Sequence, residues 1–190
     1  MHDAANTRKL LTIVVPAYNE VRFIATTLQA VSEAAEQHLD DYEIIVVDDG
    51  SRDGTGDAAE AFASTRPNMR VHRQPTNLGV GAAYLTGLKQ ARFPFITVVP
   101  GDNAFSAEAL DNVFAVVGET DLVVSYRDNM SVRTPLRRTL SIICTAMMGV
   151  VSGRSVRDAH SMFVFPVGLA RYVNAVSYTH LAGDSQMTLP

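Results

Sequence analysis

The sequence predicts an α/β fold in which a Rossmann-like, mostly parallel sheet lies between two helical layers, a three-layer α/β/α sandwich. Two observations support this prediction. Short apolar runs alternate along the chain with segments that are rich in alanine or have helical periodicity. Each run is almost continuous in valine, isoleucine and similar residues, as is typical of strands covered on both faces. With 190 residues, 47% of them hydrophobic, we expect a single domain over residues 1–190.

Strands and helices are expected to alternate through the first two thirds of the chain. In the first helix, Ile24, Leu28, Val31 and Ala35 repeat with the 3.6-residue period of an apolar helix face. Ser106 is expected to cap the fourth helix. The predicted strands are residues 10–15 (ended by Pro16), 42–47, 69–73, 95–99 and 121–125. The predicted helices are about residues 20–38, 55–64, 79–91 and 106–117.

The composition excludes several classes of protein. The formal net charge of −4 argues against nucleic acid as a partner. The single cysteine, Cys144, rules out an internal disulfide and multi-cysteine metal sites, and it favours a reducing compartment. Residues 10–17 are too short for a signal peptide, and no apolar stretch reaches the roughly 20 residues that span a bilayer. We therefore expect a cytoplasmic protein.

Polar and unusual residues follow three of the predicted strands. They are the segment Pro16-Ala-Tyr-Asn-Glu20, the pair Asp48-Asp49, and Pro100-Gly-Asp102. In parallel α/β sheets, ligands bind at the carboxyl ends of the strands, and these ends lie at one edge. The sequence therefore predicts that the functional site lies at this edge.

The first two segments have the chemistry of a nucleotide site. Tyr18 can stack on a base, and Glu20 can accept hydrogen bonds from a base or a ribose. Asp48 and Asp49 can hold a ribose hydroxyl or a base N–H. The alternative is a purely structural role, in which Glu20 favours a helix dipole and Asp49 makes turn hydrogen bonds. Asp53 is interpreted as structural.

Two further features belong to the same edge. Asp102 can bind a hard divalent cation that bridges a diphosphate, although an Asx turn is the alternative. The run from Asn77 to Ala83 places small residues at a helix start, where Gly79 would allow close backbone approach to a ligand. This run does not follow the first strand as a dinucleotide fingerprint would, which argues against an NAD enzyme.

A basic and apolar segment covers about residues 126–158. Between residues 126 and 157 it has six arginines against one acid, Asp128. Arginine forks bind phosphate oxygens in pairs, so the segment favours phosphate recognition; a solvated basic face is the alternative. Its apolar stretch, residues 139–151, is a core helix or an interfacial helix whose arginines contact lipid head groups.

Three segments together resemble the family 2 glycosyltransferases over roughly residues 10–175. They are Ile13-Val-Val-Pro-Ala-Tyr-Asn-Glu20, Ile44-Ile-Val-Val-Asp-Asp-Gly-Ser-Arg-Asp-Gly-Thr55 and Asn77-Leu-Gly-Val-Gly-Ala82. Ser125-Tyr-Arg127 and the segment from Val156 to Phe163 are similar to the dolichyl- or polyprenyl-phosphate sugar synthases of that family. The resemblance implies a GT-A fold and hexosyl transfer from a UDP- or GDP-sugar, usually with Mg²⁺ or Mn²⁺.

The resemblance also assigns roles to residues of this chain. Pro16, Tyr18, Glu20 and Asp48 would line the nucleotide pocket, and Asp102 would be the carboxylate at the metal. The chain departs from the family pattern at two positions. Pro100 replaces the first acid of the Asp-x-Asp motif, and Ala104 stands where some members have another ligand. We therefore expect a thinner metal site than is usual in the family.

The mechanism expected from these features is an inverting displacement at the anomeric carbon. A lipid-phosphate acceptor is already ionised and would suit the arginines around Arg138, at the cytoplasmic face of a membrane. A hydroxyl acceptor would need a general base, for which Asp158 is the candidate. The tail, residues 177–190, is polar and aperiodic, which indicates either a small variant or a truncated chain.

Two other functions remain open. A non-catalytic domain that binds nucleotide or lipid is one alternative, and Pro100 is the feature that favours it. A sugar nucleotidyltransferase is the other. That enzyme should have a glycine-rich loop with Arg or Lys after the first strand, where this chain has residues 16–20 instead.

Overall fold

The computed structural model describes residues 8–120, 122–125 and 162–174. Its strands are β1 (Leu10–Ala17), β2 (Asp41–Asp48), β3 (Met69–Arg73), β4 (Phe95–Val98), β5 (Val123–Val124) and β6 (Phe163–Pro166). Its helices are α1 (Ile24–His38), α2 (Thr55–Ala63), α3 (Val80–Gln90) and α4 (Ala107–Phe114). Residues 167–174 are also helical and are called α5.

The strands form a six-stranded sheet with the order β3-β2-β1-β4-β6-β5. β1 is parallel to both β2 and β4, and β2 is parallel to β3. β6 runs antiparallel to β4. The predicted α/β fold with a mostly parallel sheet is thus confirmed, and the carboxyl ends of β1 to β4 lie at one edge. The sequence did not predict β6.

Helices cover the sheet on both faces. Val47 of β2 packs in an apolar cluster with residues of α3 and α5. The next residue, Asp48, lies against α2, because a Cβ built on Gly56 would contact its carboxylate. Because successive strand side chains point to opposite faces, α2 and α3 lie on opposite sides of the sheet. α1 packs against α2 and α4. Gly87 lets α3 approach β1 closely, since a Cβ there would lie 2.5 Å from Val14 Cγ1.

The chain divides into two compact units, Met1–Val123 with Val164–Pro190, and Val124–Phe163. In the second unit, the backbone N–H and the hydroxyl of Ser125 donate to the Met162 carbonyl at 3.0 and 3.1 Å. Met162 N–H in turn donates to Ser125 Oγ at 3.0 Å. One domain over residues 1–190 stays a prediction.

Several predicted boundaries were wrong: α4 ends at Phe114, short of residue 117, β5 is only Val123–Val124, and two others bear on the site. β1 continues through Pro16, which pairs with Val47, and ends at Ala17. The Pro16 carbonyl still accepts from Gly101 N–H at 2.9 Å, although proline has no N–H of its own to donate. α1 begins at Ile24 rather than Glu20, because residues 20–23 form a turn.

The fourth helix begins as expected. Ser106 lies before it in an extended conformation, and its side chain accepts a hydrogen bond from Ala109 N–H. Within the described residues, no helix has the length and apolarity that crossing a lipid bilayer requires.

The starts of the strands, opposite to the predicted site, are held by a buried carboxylate. Glu43 on β2 is fully buried and accepts from the Thr12 hydroxyl at 2.7 Å. Arg70 and Arg92 donate to its Oε2 at 2.6 and 2.8 Å, and the Arg92 backbone N–H donates to Oε1 at 2.6 Å. Burial raises the pKa of Glu43, but these hydrogen bonds outweigh it and hold the pKa below its usual 4.5.

We predict that Glu43→Gln lowers the free energy of unfolding at neutral pH by about 1–3 kcal/mol. The amide keeps one acceptor but brings an N–H₂ toward the arginine donors. Because the folded-state pKa is depressed, the carboxylate stabilises the fold above pH 4.5, and this contribution is lost as the pH falls through the folded value. Denaturant unfolding of both proteins should therefore show a difference that shrinks in acid.

The matched control for that measurement is Glu119→Gln. Glu119 makes a surface ion pair with Lys9 and its side chain is 59% exposed, so its loss should change stability little. A Glu43→Gln deficit that persists undiminished in acid would show that the ionised carboxylate is not what stabilises this edge.

Candidate functional site

Four loops meet at the edge where β1 to β4 end. Gly101, after β4, donates its N–H to the Pro16 carbonyl at 2.9 Å, and its own carbonyl accepts from the Thr27 hydroxyl at 3.1 Å. The loop after β4 is thus tied both to β1 and to α1. The four loops together are called the rim below.

Asp49 links three of the rim loops. Its backbone N–H donates to the Ala17 carbonyl at 2.9 Å. Its two carboxylate oxygens accept from the N–H groups of Leu78 and Gly79, both at 2.8 Å. The side chain is 3% exposed. Asp49 therefore has a structural role at the start of α3, and its predicted nucleotide contact stays a prediction.

The loop after β2 passes very close to the loop before α3. Gly50 has a φ of +73°, and a Cβ on it would lie 2.5 Å from the Thr76 carbonyl carbon. Only glycine combines this left-handed conformation with so close a backbone approach. Gly79 also has a positive φ, +89°, immediately before α3 begins.

The turn after β1 is fastened to the loop after β2 by exchanged hydrogen bonds. Asn19 has a φ of +57°, its N–H donates to Ser51 Oγ at 2.9 Å, and its side-chain oxygen accepts from Arg52 N–H at 3.0 Å. Glu20 N–H donates to the hydroxyl of the buried Thr55 at 2.7 Å. Asn is among the few non-glycine residues that adopt this conformation readily.

Asp53 completes this connection. Its carboxylate accepts from Val21 N–H at 3.1 Å and from both the N–H and the hydroxyl of Thr55. Burial raises the pKa of Asp53, but these hydrogen bonds lower it below its usual 3.8. The structural interpretation of Asp53 agrees with these contacts.

Asp48 lies at the base of the rim and is 4% exposed. Its Oδ1 accepts from Ser51 N–H at 3.0 Å, while its Oδ2 faces Gly56 in the first turn of α2. Among the described residues, no donor hydrogen-bonds to Oδ2.

Glu20 and Asp102 place two carboxylates on one part of the rim. Asp102 is exposed, and its Oδ1 accepts from Ala104 N–H at 3.1 Å, which is an Asx turn. Burial, then the charges of Asp102 and Asp53, raises the pKa of Glu20 above its usual 4.5. Burial therefore disfavours ionisation of Glu20 most, and the two neighbouring acids add to this effect.

Tyr18 lies just after β1, at the predicted edge, whereas Pro16 lies within the strand and not after it. Tyr18 follows β1 directly and is 43% exposed, so its ring is available for stacking. Pro16 is buried near the end of β1, where it pairs with Val47 of β2. The structure thus brings Tyr18, Glu20, Asp48 and Asp102 to one edge, whereas Arg138 and Asp158 lie outside the described residues.

Sequence reasoning missed the residues that fasten the loops. The sequence offered a hint only for Gly50, which follows an Asp-Asp pair at a strand end. Asn19, Ser51 and Thr55 are ordinary turn residues in the sequence. Their partners lie more than thirty positions away, as in the 35-residue separation of Glu20 and Thr55, so local pattern could not reveal them.

Comparison with known proteins agrees with this geometry. Residues 12–167 match glycosyl transferase family 2, and the chain belongs to that family. A dolichyl-phosphate beta-glucosyltransferase of Trichomonas vaginalis is 29% identical over 80% of this chain and 50% of its own length. An undecaprenyl-phosphate mannosyltransferase of Micrococcus luteus is 31% identical over 63% of this chain and 48% of its own. The chain thus spans about half the length of these curated relatives.

A solved structure supports the fold independently. The glucosyl-3-phosphoglycerate synthase of Mycobacterium tuberculosis, in complex with Mn²⁺, UDP and phosphoglyceric acid, superposes with a TM-score of 0.63. The alignment covers 87% of this chain and 58% of that one at 18% identity. At that identity the similarity shows a shared glycosyltransferase fold and nothing finer.

We predict that Asp49→Asn lowers the free energy of unfolding by about 1–3 kcal/mol, because an amide can accept only one of the two N–H bonds. Thermal or denaturant unfolding measures the loss. Asp57→Asn is the control, since that side chain is 80% exposed and makes only a surface ion pair. Equal stability of the two variants would contradict a structural link at Asp49.

Proposed function

We propose that this protein transfers a hexose from a UDP- or GDP-sugar to a polyprenyl-phosphate acceptor with inversion at the anomeric carbon. The observation that carries the proposal is the meeting of Tyr18, Glu20, Asp48 and Asp102 at the carboxyl edge of a parallel sheet, in a chain of glycosyl transferase family 2. The membership supports transfer chemistry, and the four side chains support a nucleotide-diphosphate donor.

The nucleoside half of the donor is assigned to the β1 and β2 ends. The half-exposed ring of Tyr18 would stack on the base, and Asp48 Oδ2 would accept a base N–H or a ribose hydroxyl. Glu20 and Pro16 would line the same pocket. Gly79 would allow the diphosphate to approach the start of α3.

The diphosphate half is assigned to Asp102, together with Mg²⁺ or Mn²⁺. The rim residues fit such a cation in charge and donor type, since carboxylate oxygens are the ligands these ions prefer, and the charge of Asp102 adds to burial in raising the pKa of Glu20. Among the described residues, no three His, Cys, Asp or Glu side chains come together as a ready-made site. Asp102 would therefore hold the ion jointly with donor phosphates and water.

When bound, that cation neutralises charge on the departing nucleoside diphosphate. The acceptor oxygen attacks the anomeric carbon, its new bond to that carbon forms as the carbon–oxygen bond to the diphosphate breaks, and the electron pair leaves with the nucleotide. Arg138 is proposed to stabilise this charge or to hold the acceptor phosphate.

The acceptor assignment is supported by the relatives and by charge. The two curated relatives are named for transfer to dolichyl and undecaprenyl phosphate. Residues 126–157 hold six arginines against one acid. A lipid phosphate is ionised near neutral pH and needs no strong base, and its membrane would hold the protein peripherally on the cytoplasmic face. A hydroxyl acceptor would instead need Asp158 as base.

A second candidate is a nucleotide- or lipid-binding domain without transfer activity. Pro100 favours it, because it removes a carboxylate that the family places beside the metal. Hydrolysis of the donor sugar by the purified protein would separate the two functions. A sugar nucleotidyltransferase is disfavoured, because residues 16–20 form a strand end and a turn rather than a glycine-rich triphosphate loop.

We predict that one of the two nucleotides, UDP or GDP, binds to the protein in the presence of Mn²⁺ and does not bind in EDTA. Calorimetric titration measures both conditions. Asp102→Ala should abolish this metal dependence, because it removes the carboxylate assigned to the ion. Asp40→Ala, at the opposite edge beside Lys9, should bind as wild type does. Binding of neither nucleotide by the wild-type protein would refute the proposed donor class.

We predict that Arg138→Ala lowers turnover on the order of a hundredfold while changing nucleotide affinity much less, because its charge is assigned to the transition state. Steady-state kinetics with a polyprenyl phosphate and calorimetry with the nucleotide give the two quantities. Arg66→Ala, whose guanidinium stacks over the Phe62 ring, is the control. An equal loss in turnover and affinity would count against the assignment.

A further inference from the structure

The second residue of α2 is a glycine that lies directly behind the Asp48 carboxylate. Gly56 is buried, and its backbone conformation is helical, so an alanine could adopt it without strain. Alanine has the higher helix propensity of the two residues. The helix itself therefore gives no reason for a glycine at this position.

The reason lies in the space beside it. A Cβ built on Gly56 would overlap Asp48 Oδ2, and it would lie 2.8 Å from both Nε and Cζ of Arg73. Such distances are well inside van der Waals contact, so at least the carboxylate would have to move. Asp48 is the last residue of β2 and is 4% exposed, which leaves its short side chain little room.

Arg73 can adjust more easily than Asp48, because its guanidinium is the far end of a long side chain that is 42% exposed. Its guanidinium donates to Asp57 at 2.6 Å and to Glu60 at 2.9 Å, and both acids belong to α2. Asp48 is short and 4% exposed, and its Oδ2 is the atom nearest to the built Cβ, so the carboxylate must move whatever the arginine does. An added methyl group would act chiefly on the carboxylate.

Displacement of Asp48 would change the oxygen that is assigned to the ligand. Oδ1 is held by Ser51 N–H at 3.0 Å, so the carboxylate would pivot about that bond and Oδ2 would swing away from Gly56. A hydrogen bond to a charged acceptor depends steeply on such geometry.

We propose that Gly56 is a positioning residue of the nucleotide site: its missing side chain sets where Asp48 Oδ2 meets the base or ribose of the donor. The inference rests on the proposed function. It adds to that function a residue of α2 that touches no ligand and yet determines nucleoside affinity through Asp48.

The test is calorimetric titration of wild type, Gly56→Ala and Gly168→Ala with UDP and GDP in the presence of Mn²⁺. Gly168 is the matched control, because it is also the second residue of a helix and a Cβ on it would meet nothing within 4 Å. We expect Gly56→Ala to raise the Kd about tenfold, the usual cost of a misplaced hydrogen bond to a charged group. Gly168→Ala should leave the Kd unchanged.

Two further measurements distinguish positioning from a general loss of structure. The midpoint of thermal unfolding of Gly56→Ala should stay within a few degrees of wild type, since helix propensity offsets the crowding. In an Asp48→Ala background, which removes the carboxylate and its contact with the added methyl group, Gly56→Ala should have no further effect on the Kd, since the exposed guanidinium of Arg73 can move aside.

The outcomes separate this inference from the proposed function. Nucleotide binding by wild type with an unchanged Kd in Gly56→Ala overturns the inference alone. The same holds for a loss of affinity that persists in the Asp48→Ala background. No nucleotide binding by wild type overturns the proposed function and the inference together.

Discussion

The carboxylate of Asp49 links the loop after β2 to the loop before α3, and the remaining contacts of the rim are arranged around that link. Buried hydrogen bonds of an ionised side chain to two backbone N–H groups are strong and geometrically demanding. The backbone N–H of Asp49 also donates to the Ala17 carbonyl at the end of β1. Asp49 therefore fixes three loops relative to one another, and this arrangement is called their common register. The positions of Tyr18 and Asp48 are consequences of that register.

The pKa values of the carboxyl groups at the two edges of the sheet are shifted in opposite directions. At the strand starts, Glu43 is surrounded by donors and its pKa is lowered, so the carboxylate stabilises the fold. At the rim, Glu20 lies near Asp102 and Asp53 and its pKa is raised. Protein donors satisfy the carboxylate in the first arrangement, whereas burial and neighbouring acids disfavour the charge in the second. This contrast is the electrostatic reason for placing a ligand at the rim and not at the opposite edge.

Much of the fold could be predicted, because each element is specified by local pattern. The continuous apolar runs of β1 and β2 and the period of α1 identify buried strands and a helix without reference to the rest of the chain. The prediction failed where a partner decides the outcome. β6 is four residues long and is a strand because it pairs with β4, and α1 starts late because the backbone of residues 20–23 turns to reach the loop after β2.

The sequence by itself determined the fold class, the family, and the edge of the sheet where polar residues collect, since the ends of parallel strands must meet. Only the tertiary structure decided what each polar residue does there. Asp48 and Asp49 are adjacent and chemically identical, yet strand alternation sends the first toward Gly56 of α2 and the second to the loop before α3. Their roles differ because the hydrogen-bond donors that surround each carboxylate come from distant parts of the chain.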